Sequence, residues 1–243
     1  EVSDTEINTI YAPTYLLNSG NLTVRDSIIT GASVVAAAPG GAVELSSSSI
    51  TGREVLIGAD VDLSIMDSVV TALDSRLTIT GAVTETEIGG AGYMSGPVTI
   101  TGSTLVSLDD DPTDLDNTGH MTIVTLVAPI DLNNNDLIRA HGNIEIEVMA
   151  NMFSDGSITL SGNTDVRAGV FKSEHATAFR SGSLLVNAPG SVRPAFVWLA
   201  DNNITVTRRV VLSIGGAPGD PEVTNLVMRG NTITANDDTR AGR

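Results

Sequence analysis

Residues 22–31 read LTVRDSIITG, residues 43–52 read VELSSSSITG, and residues 63–72 read LSIMDSVVTA. Each stretch begins with an apolar–polar–apolar triplet, which is the alternation of a β-strand. The second apolar residue of each triplet is followed three positions later by Ser, and two positions after that by another apolar residue. The three stretches therefore predict a strand–turn–strand unit that the chain repeats.

The same pattern, with Ser or Asn at its centre, recurs along most of the chain. Complete copies are centred on Ser27, Ser48, Ser68, Ser103, Asn135, Asn151, Asn202 and Asn231, and an incomplete copy is centred on Asn163. A second series of triplets begins at residues 55, 77, 98, 121 and 144, which gives a period of about 22 residues. This period predicts a parallel β-solenoid, in which stacked coils build one continuous core.

The small polar residues of the repeat are expected at turns between strands, where they can hydrogen-bond along the stack as a ladder. Gly31, Gly52, Gly81 and Gly102 follow the pattern, and we expect them to supply positive φ at the corners. The alternative is an all-β sandwich with regular hairpins. The sequence lacks the Asn-Gly signal of such hairpins, which disfavours this alternative.

One stretch near the carboxyl end resembles a known architecture. Residues 226–234, LVMRGNTIT, resemble a coil of the right-handed parallel β-helix, pectin-lyase-like superfamily, and residues 142–192 are similar to filamentous-haemagglutinin-type adhesin repeats. The resemblance implies an all-β fold, a single right-handed parallel β-helix. At about 22 residues per coil, the chain would form about 11 coils and a rod about 50 Å long.

The organisation of the chain follows from where the repeat is interrupted. We expect residues 1–19 to form a cap or docking segment and residues 20–236 to form the β-helix. Insertions are expected near 106–120 and 171–182, and residues 237–243 are expected to be a polar tail.

The superfamily includes polysaccharide lyases and hydrolases, phage tailspikes and adhesins, so the fold does not decide the function. A polygalacturonase-like hydrolase carries Asn-Thr-Asp, Asp-Asp, Gly-His-Gly and Arg-Ile-Lys elements in that order. Residues 163–165 match the first element, but Asp109-Asp110 and Gly119-His120 precede it, and the Arg-Ile-Lys element does not occur. The sequence therefore disfavours a hydrolase of this type.

An acidic segment is the candidate metal site. Its carboxylates, which could bind Ca²⁺, a cation that takes 6–8 oxygen ligands, are Asp109, Asp110, Asp111, Asp114 and Asp116. Their spacing lacks the Gly and the closing Glu of a defined calcium loop, so a solvated acidic loop is the alternative interpretation. No other cofactor is predicted.

The remaining candidates for chemistry are isolated. His120, His141 and His175 lack the spacing of metal ligands and are expected at surface turns. Trp198 and the other aromatic residues are spread along the chain, so we expect them in the core or in caps rather than in a sugar-stacking groove.

Composition excludes several classes of protein. The chain has 13 basic and 29 acidic residues, a formal net charge of −16 and no Cys. These values disfavour a nucleic-acid partner and exclude a disulfide scaffold, and no apolar run is long enough to predict a membrane span. The acidic surface suits a saline or extracellular setting, whereas the predominance of Arg over Lys is equally expected from a GC-rich genome.

Two functions agree with these observations. The first is a non-catalytic, extracellular or cell-surface structural or adhesive solenoid that associates end to end, because an open end exposes strand edges and core. The alternative is a polysaccharide-degrading or glycan-binding β-helix of the lyase, hydrolase or tailspike type, which would bind a cell-surface glycan.

Overall fold

A computed structural model describes residues 1–82, 95–109, 119–126, 128–149, 157–170, 180–189, 196–215 and 225–235. Within these ranges the chain forms β-strands and no helix. The strands are β1 (Val2–Ser3), β2 (Glu6–Thr9), β3 (Thr14–Leu17), β4 (Leu22–Arg25), β5 (Ile28–Ala38), β6 (Ala42–Ser46), β7 (Ser49–Ala59), β8 (Asp62–Met66), β9 (Val69–Ala72), β10 (Arg76–Thr80), β11 (Val98–Thr101), β12 (Thr104–Ser107), β13 (His120–Thr125), β14 (Ile130–Asn133), β15 (Leu137–Ala140), β16 (Ile144–Val148), β17 (Ser157–Ser161), β18 (Val166–Val170), β19 (Arg180–Ser181), β20 (Leu184–Pro189), β21 (Phe196–Ala200), β22 (Asn203–Val206), β23 (Val210–Gly215), β24 (Asn225–Arg229) and β25 (Thr232–Ala235).

The strands pair into two sheets. The first, the nine-strand sheet, has the order β1-β4-β6-β8-β11-β14-β17-β21-β24. The second has 16 strands and bends, because β5 and β7 each run through two stacks of strands. Apart from the antiparallel pair β18–β19, the pairings between described strands are parallel.

The two halves of the bent sheet give the molecule a second and a third face. The second face contains β2, β9, β12, β15, β18, β22 and β25, together with the first halves of β5 and β7. The third face contains β3, β10, β13, β16, β20 and β23, together with the second halves of β5 and β7. The chain passes from the nine-strand sheet to the second face and then to the third, and we call each such passage a coil. The all-β, solenoid-like arrangement of parallel strands is therefore confirmed.

The nine-strand sheet defines nine coils among the described residues, and the ninth has described strands on the first two faces only. The predicted count of about 11 is therefore not reached. Aligned residues in its early strands, Leu22, Val43 and Leu63, lie 21 and 20 residues apart. The later spacings are 35, 32, 28, 39 and 29 residues. The coils from the fourth onward are therefore longer than the first ones, which a count based on one constant period misses.

The triplet at residue 98 explains much of the error in the predicted number of coils. On the third face, Leu77 pairs directly with Met121, whereas Val98 lies in the nine-strand sheet beside Leu63. The triplets at 77, 98 and 121, about 22 residues apart, therefore belong to different sheets. Treating them as one series counts a single long coil as two.

A single aliphatic core runs through the coils. The inward residues of the nine-strand sheet from Leu22 to Val197 are at most 5% exposed, and the corresponding residues of the other two faces are similarly buried. Their outward neighbours are mostly Thr, Ser and charged residues, as the alternation of a strand requires. Each inward Val, Leu or Ile contributes about 1.5–3 kcal/mol of burial free energy.

The corner between the nine-strand sheet and the second face has nearly constant length and carries the predicted ladder. One residue per coil occupies the same corner position, and the column, which we call the ladder, is Thr5, Ser27, Ser48, Ser68, Ser103, Asn135, Asn163, Asn202 and Asn231. The backbone N–H of each member donates to the side-chain oxygen of the next at 3.0–3.2 Å. The prediction of a hydrogen-bonded ladder is confirmed.

Two copies of the sequence pattern require correction. The copy that begins at Val148 does not belong to the ladder, because Val148 lies in β16 on the third face. The incomplete copy at Asn163 is a ladder member, because one extra corner residue lets Val166 take the inward position instead of Asp165. The same extra residue makes Ile138, and not Leu137, the inward residue after Asn135.

The glycine prediction is correct for only one of its four residues. The corner residue before each ladder member is left-handed, with φ between +46° and +65°, and these residues are Asp4, Asp26, Ser47, Asp67, Gly102, Asn134, Gly162, Asp201 and Gly230. Gly31, Gly52 and Gly81 do not have positive φ. They are needed for close approach, since a Cβ on Gly31 or Gly52 would lie within 2.9 Å of other atoms, among them backbone oxygens.

The segment boundaries predicted from the sequence remain predictions. Residues 1–19 contribute β1, β2 and β3, which pair with strands of the following coil. The tail at 237–243 and most of each predicted insertion, at 106–120 and 171–182, lie outside the described residues.

Candidate functional surfaces

The predicted calcium segment is described only at its first residue. Asp109 is 7% exposed, and its backbone N–H donates to Nδ1 of His141 at 3.1 Å. Asp110, Asp111, Asp114 and Asp116 lie outside the described residues. Across the described part of the chain, no three His, Asp or Glu side chains come together as a metal site would require. Calcium binding by this segment stays a prediction.

Two histidines hold the corner between the second and third faces. His120 Nδ1 accepts the backbone N–H of Asn143 at 3.0 Å, and His141 Nδ1 lies beside both the N–H and the carbonyl of Asp109. Both rings are partly buried. Burial lowers the pKa of His120, and the Arg76 charge lowers it further, whereas the Glu145 carboxylate opposes the shift. Each ring therefore has a structural hydrogen-bonding role at this corner.

The residues that resemble a hydrolase motif are also engaged in structure. Asn163 is 1% exposed and belongs to the ladder. Asp165 accepts a hydrogen bond from Nε of Arg167 at 2.8 Å. Asn163 is thus unavailable to a substrate, whereas Asp165 and Arg167 form a partly exposed ion pair on the second face.

The prediction for the aromatic residues is wrong at the carboxyl end. Phe196 and Trp198 point outward from the nine-strand sheet, because their neighbours Val197 and Leu199 face the core. The two rings stack with centroids 6.0 Å apart and planes at 23°. The Arg229 guanidinium lies 6.0 Å from the Trp198 ring centroid and 3.7 Å from the Asp201 carboxylate. We call these four residues the aromatic cluster.

Sequence reasoning missed this cluster because the two rings alone do not reveal their direction. Alternation within FVWLA at 196–200 places Phe196 and Trp198 on one side and Val197 and Leu199 on the other. The repeat copy centred on Asn202 has Leu199 as its inward apolar residue, so this pattern was the signal that could have placed both rings outside. The register of β21 with β17, which aligns Val197 with Ile158, gives the same direction.

Apolar residues are exposed at both ends of the stack. In coil nine, Leu226, Met228 and Ile233 are 45%, 46% and 39% exposed, although they continue fully buried columns. In coil one, Ile10, Tyr11, Tyr15 and Leu17 are 60–97% exposed. The described edges of the solenoid-like stack therefore differ in chemistry from its mostly polar sides.

Comparisons with protein-family models, with curated proteins and with solved structures give no match to this chain. Within the described residues no helix has the length and hydropathy needed to cross a bilayer.

Proposed function

We propose that this chain is a non-catalytic structural or adhesive rod that acts outside the cell or at its surface and associates head to tail. The observation that carries the proposal is the continuity of the ladder, which connects Thr5 to Asn231 through every coil. A rod needs such a connection, because each coil touches only its neighbours and one weak coil would break the stack.

The residues otherwise suited to chemistry support the same proposal. Asn163, His120 and His141 each form hydrogen bonds that join adjacent coils. The right-handed parallel β-helix of the pectin-lyase-like superfamily, with haemagglutinin-like repeats, is the architecture that we propose for the chain. That superfamily contains non-catalytic adhesins as well as enzymes.

The charge of the chain supports an extracellular and saline setting. A net charge of −16 keeps a surface hydrated and opposes non-specific association of the polar sides. Contacts between copies are then favoured at the ends, where apolar residues are exposed.

Electron microscopy and sedimentation of the 243-residue chain at several concentrations, in high salt with and without calcium, test the proposal. Nine coils with about 4.8 Å between neighbours predict filaments with an axial repeat of about 43 Å. Particles that remain single at every concentration would contradict head-to-tail association. New reducing ends or unsaturated uronates after incubation with polysaccharides would contradict a non-catalytic role.

The aromatic cluster favours a second candidate function, which is glycan binding. Aromatic faces attract the C–H face of a pyranose ring, and the Arg229 and Asp201 side chains beside them can hydrogen-bond to sugar hydroxyls. Trp198 is the only tryptophan, so its fluorescence reports on this surface alone.

Titration with neutral and acidic oligosaccharides tests glycan binding. We expect saturable quenching of the Trp198 fluorescence, and retention on a glycan column that Trp198→Ala abolishes. Tyr15→Ala is the matched control, because it removes an aromatic ring that is 62% exposed at the other end of the stack. Equal retention of the two variants would rule out the cluster as the binding surface.

A further inference from the structure

The two edges of the stack are complementary to each other. We propose that coil nine of one copy binds coil one of a second copy in the register that joins consecutive coils within the chain. This inference rests on the proposed rod function and specifies its junction.

The apolar columns that run through the stack end exposed at the coil-nine edge. Val197, Leu199 and Ile204 are fully buried in coil eight, whereas the residues aligned with them in coil nine are 39–46% exposed. At the other edge, Val2, Ile7 and Leu16 pack against the core and are only partly buried. Stacking coil nine on coil one in the internal register would bury Met228 against Val2 and Ile233 against Ile7, as every internal step does.

The backbone at the corner offers matching donors and acceptors. At seven of the eight internal steps, the left-handed corner residue donates its N–H to the last strand residue of the following coil, as Asp201 does to the Arg229 carbonyl at 2.8 Å; Gly102 is the exception. Gly230 is the corresponding donor in coil nine, and its N–H has no acceptor among the described residues. Ser3 is the corresponding acceptor in coil one, and the described part of the chain gives its carbonyl one donor, the hydroxyl of Thr5.

The ladder is incomplete at both edges in a complementary way. Thr5 Oγ1 donates to the Ser3 carbonyl at 2.7 Å, as Ser27 Oγ donates to the Arg25 carbonyl at 2.6 Å. Ser27 Oγ also accepts the N–H of Thr5 from the preceding coil. Among the described residues, no N–H donates to Thr5 Oγ1, and no acceptor receives the N–H of Asn231. A bond from Asn231 N–H to Thr5 Oγ1 of a second copy would extend the ladder by one step.

Charge and shape at the corner agree with this register. Arg25 pairs with Glu44 of the next coil at 2.8 Å, and the same offset places Arg229 of coil nine beside Glu1 of the second copy. From coil four onward the left-handed corner positions alternate between Asx and Gly. Gly230 followed by Asp4 of the second copy continues that alternation.

Two variants that each block one edge test the junction. Ile7→Lys places an ammonium group on the coil-one edge, and Met228→Lys places one on the coil-nine edge. We expect either variant alone to be monomeric, with a dissociation constant raised at least ~100-fold, because an unpaired charge would be buried. An equimolar mixture should form dimers and nothing longer, because each variant keeps the edge that the other one lacks.

Two control variants accompany the mixture, and sedimentation velocity measures the size of the species in each solution. Val227→Lys carries the same charge on the neighbouring outward position of β24. The proposed register aligns this position with Glu1 of the second copy, so the variant should assemble at least as well as the unmodified chain. Thr5→Val removes the ladder acceptor without adding a charge, together with the hydroxyl's bond to the Ser3 carbonyl, and it should weaken assembly about 10-fold. This variant keeps the test decisive if Ile7→Lys does not fold, which circular dichroism would reveal.

The outcomes separate the junction from the rod function. Dimers in the mixture and monomers in each separate solution would support the junction. Filaments from the unmodified chain without dimers in the mixture would overturn the junction and leave the rod function intact. An unmodified chain that stays monomeric at every concentration would overturn both the junction and head-to-tail association.

Discussion

The ladder predicts a graded loss of stability when its side chains are truncated. The Asn163 side chain forms four hydrogen bonds, with the backbone and amide nitrogens of Asn135 at 3.1 and 2.9 Å, with the Leu132 carbonyl at 2.9 Å and with Oδ1 of Asn202 at 2.8 Å. At about 1 kcal/mol net for each buried bond, Asn163→Ala should lower the free energy of unfolding by about 4 kcal/mol. Urea denaturation at neutral pH, followed by circular dichroism and by Trp198 fluorescence, measures this loss.

Two further variants calibrate the measurement. The Ser48 hydroxyl forms two bonds, with the Ser27 N–H at 3.1 Å and with the Ser46 carbonyl at 2.8 Å, so Ser48→Ala should cost about 2 kcal/mol. Asn203 is exposed and its side chain makes no hydrogen bond with the described residues, so Asn203→Ala should cost less than about 0.5 kcal/mol. If Ser48→Ala costs as much as Asn163→Ala, or if Asn163→Ala costs no more than Asn203→Ala, the ladder does not stabilise the stack through these bonds.

Two other predictions concern the corners. A Cβ at Gly102, where φ is +59°, would collide with Oδ1 of Asp67. Gly102→Ala should therefore lower the free energy of unfolding by about 2 kcal/mol, and by only about 1 kcal/mol in an Asp67→Ala background. Equal losses in the two backgrounds, measured by thermal or urea unfolding, would exclude the collision. Since burial lowers the pKa of His120 from 6.5, the stability that its neutral ring provides is complete above that pH and is lost as the pH falls through the lowered pKa. His120→Asn places an amide oxygen where Asn143 has one at the aligned position of the next coil, so it should still accept the backbone N–H at this corner. Without a titrating ring, the free energy of unfolding should fall less steeply as the pH is lowered. An unchanged pH profile would mean that other groups cause the fall.

The strands and the ladder could be predicted from the sequence because both repeat with the coil. In a strand with one face on the core, the alternating apolar residues are the inward ones, as Leu22 and Val24 are in LTVR at 22–25. A corner of nearly constant length demands a small polar residue in every coil, so Ser68 and Asn202 were recognisable from their spacing alone.

The number of coils could not be predicted, because coils of different length keep the same strand register. The interval from Leu63 to Val98 is 35 residues, yet the two side chains align as closely as Val43 and Leu63 do. Hydrogen bonding between strands constrains only the residues inside them, and any length of chain can leave and return at an exposed corner.

The candidate surfaces were less predictable for a related reason. The outward direction of Trp198 follows from alternation with Leu199, but its neighbour Arg229 comes from the next coil, far away in the sequence. The roles of His120 and His141 depend on N–H groups of adjacent coils, and those partners are far apart in the sequence. Calcium binding by the acidic residues from Asp110 to Asp116 remains a hypothesis, because these residues lie outside the described ones.

The alternation of Asx and Gly at the left-handed corner restricts how such a rod can change length. In coils four to nine, Oδ1 of Asp67, Asn134 and Asp201 occupies the space that a Cβ of Gly102, Gly162 and Gly230 would need. Duplication of a single coil in this region would place two Asx side chains, or two glycines, on adjacent levels. Duplication of two coils would preserve the order that coils four to nine show. The first coils carry Asp4, Asp26 and Ser47 on adjacent levels, so this preference for even steps applies only to the later part of the rod.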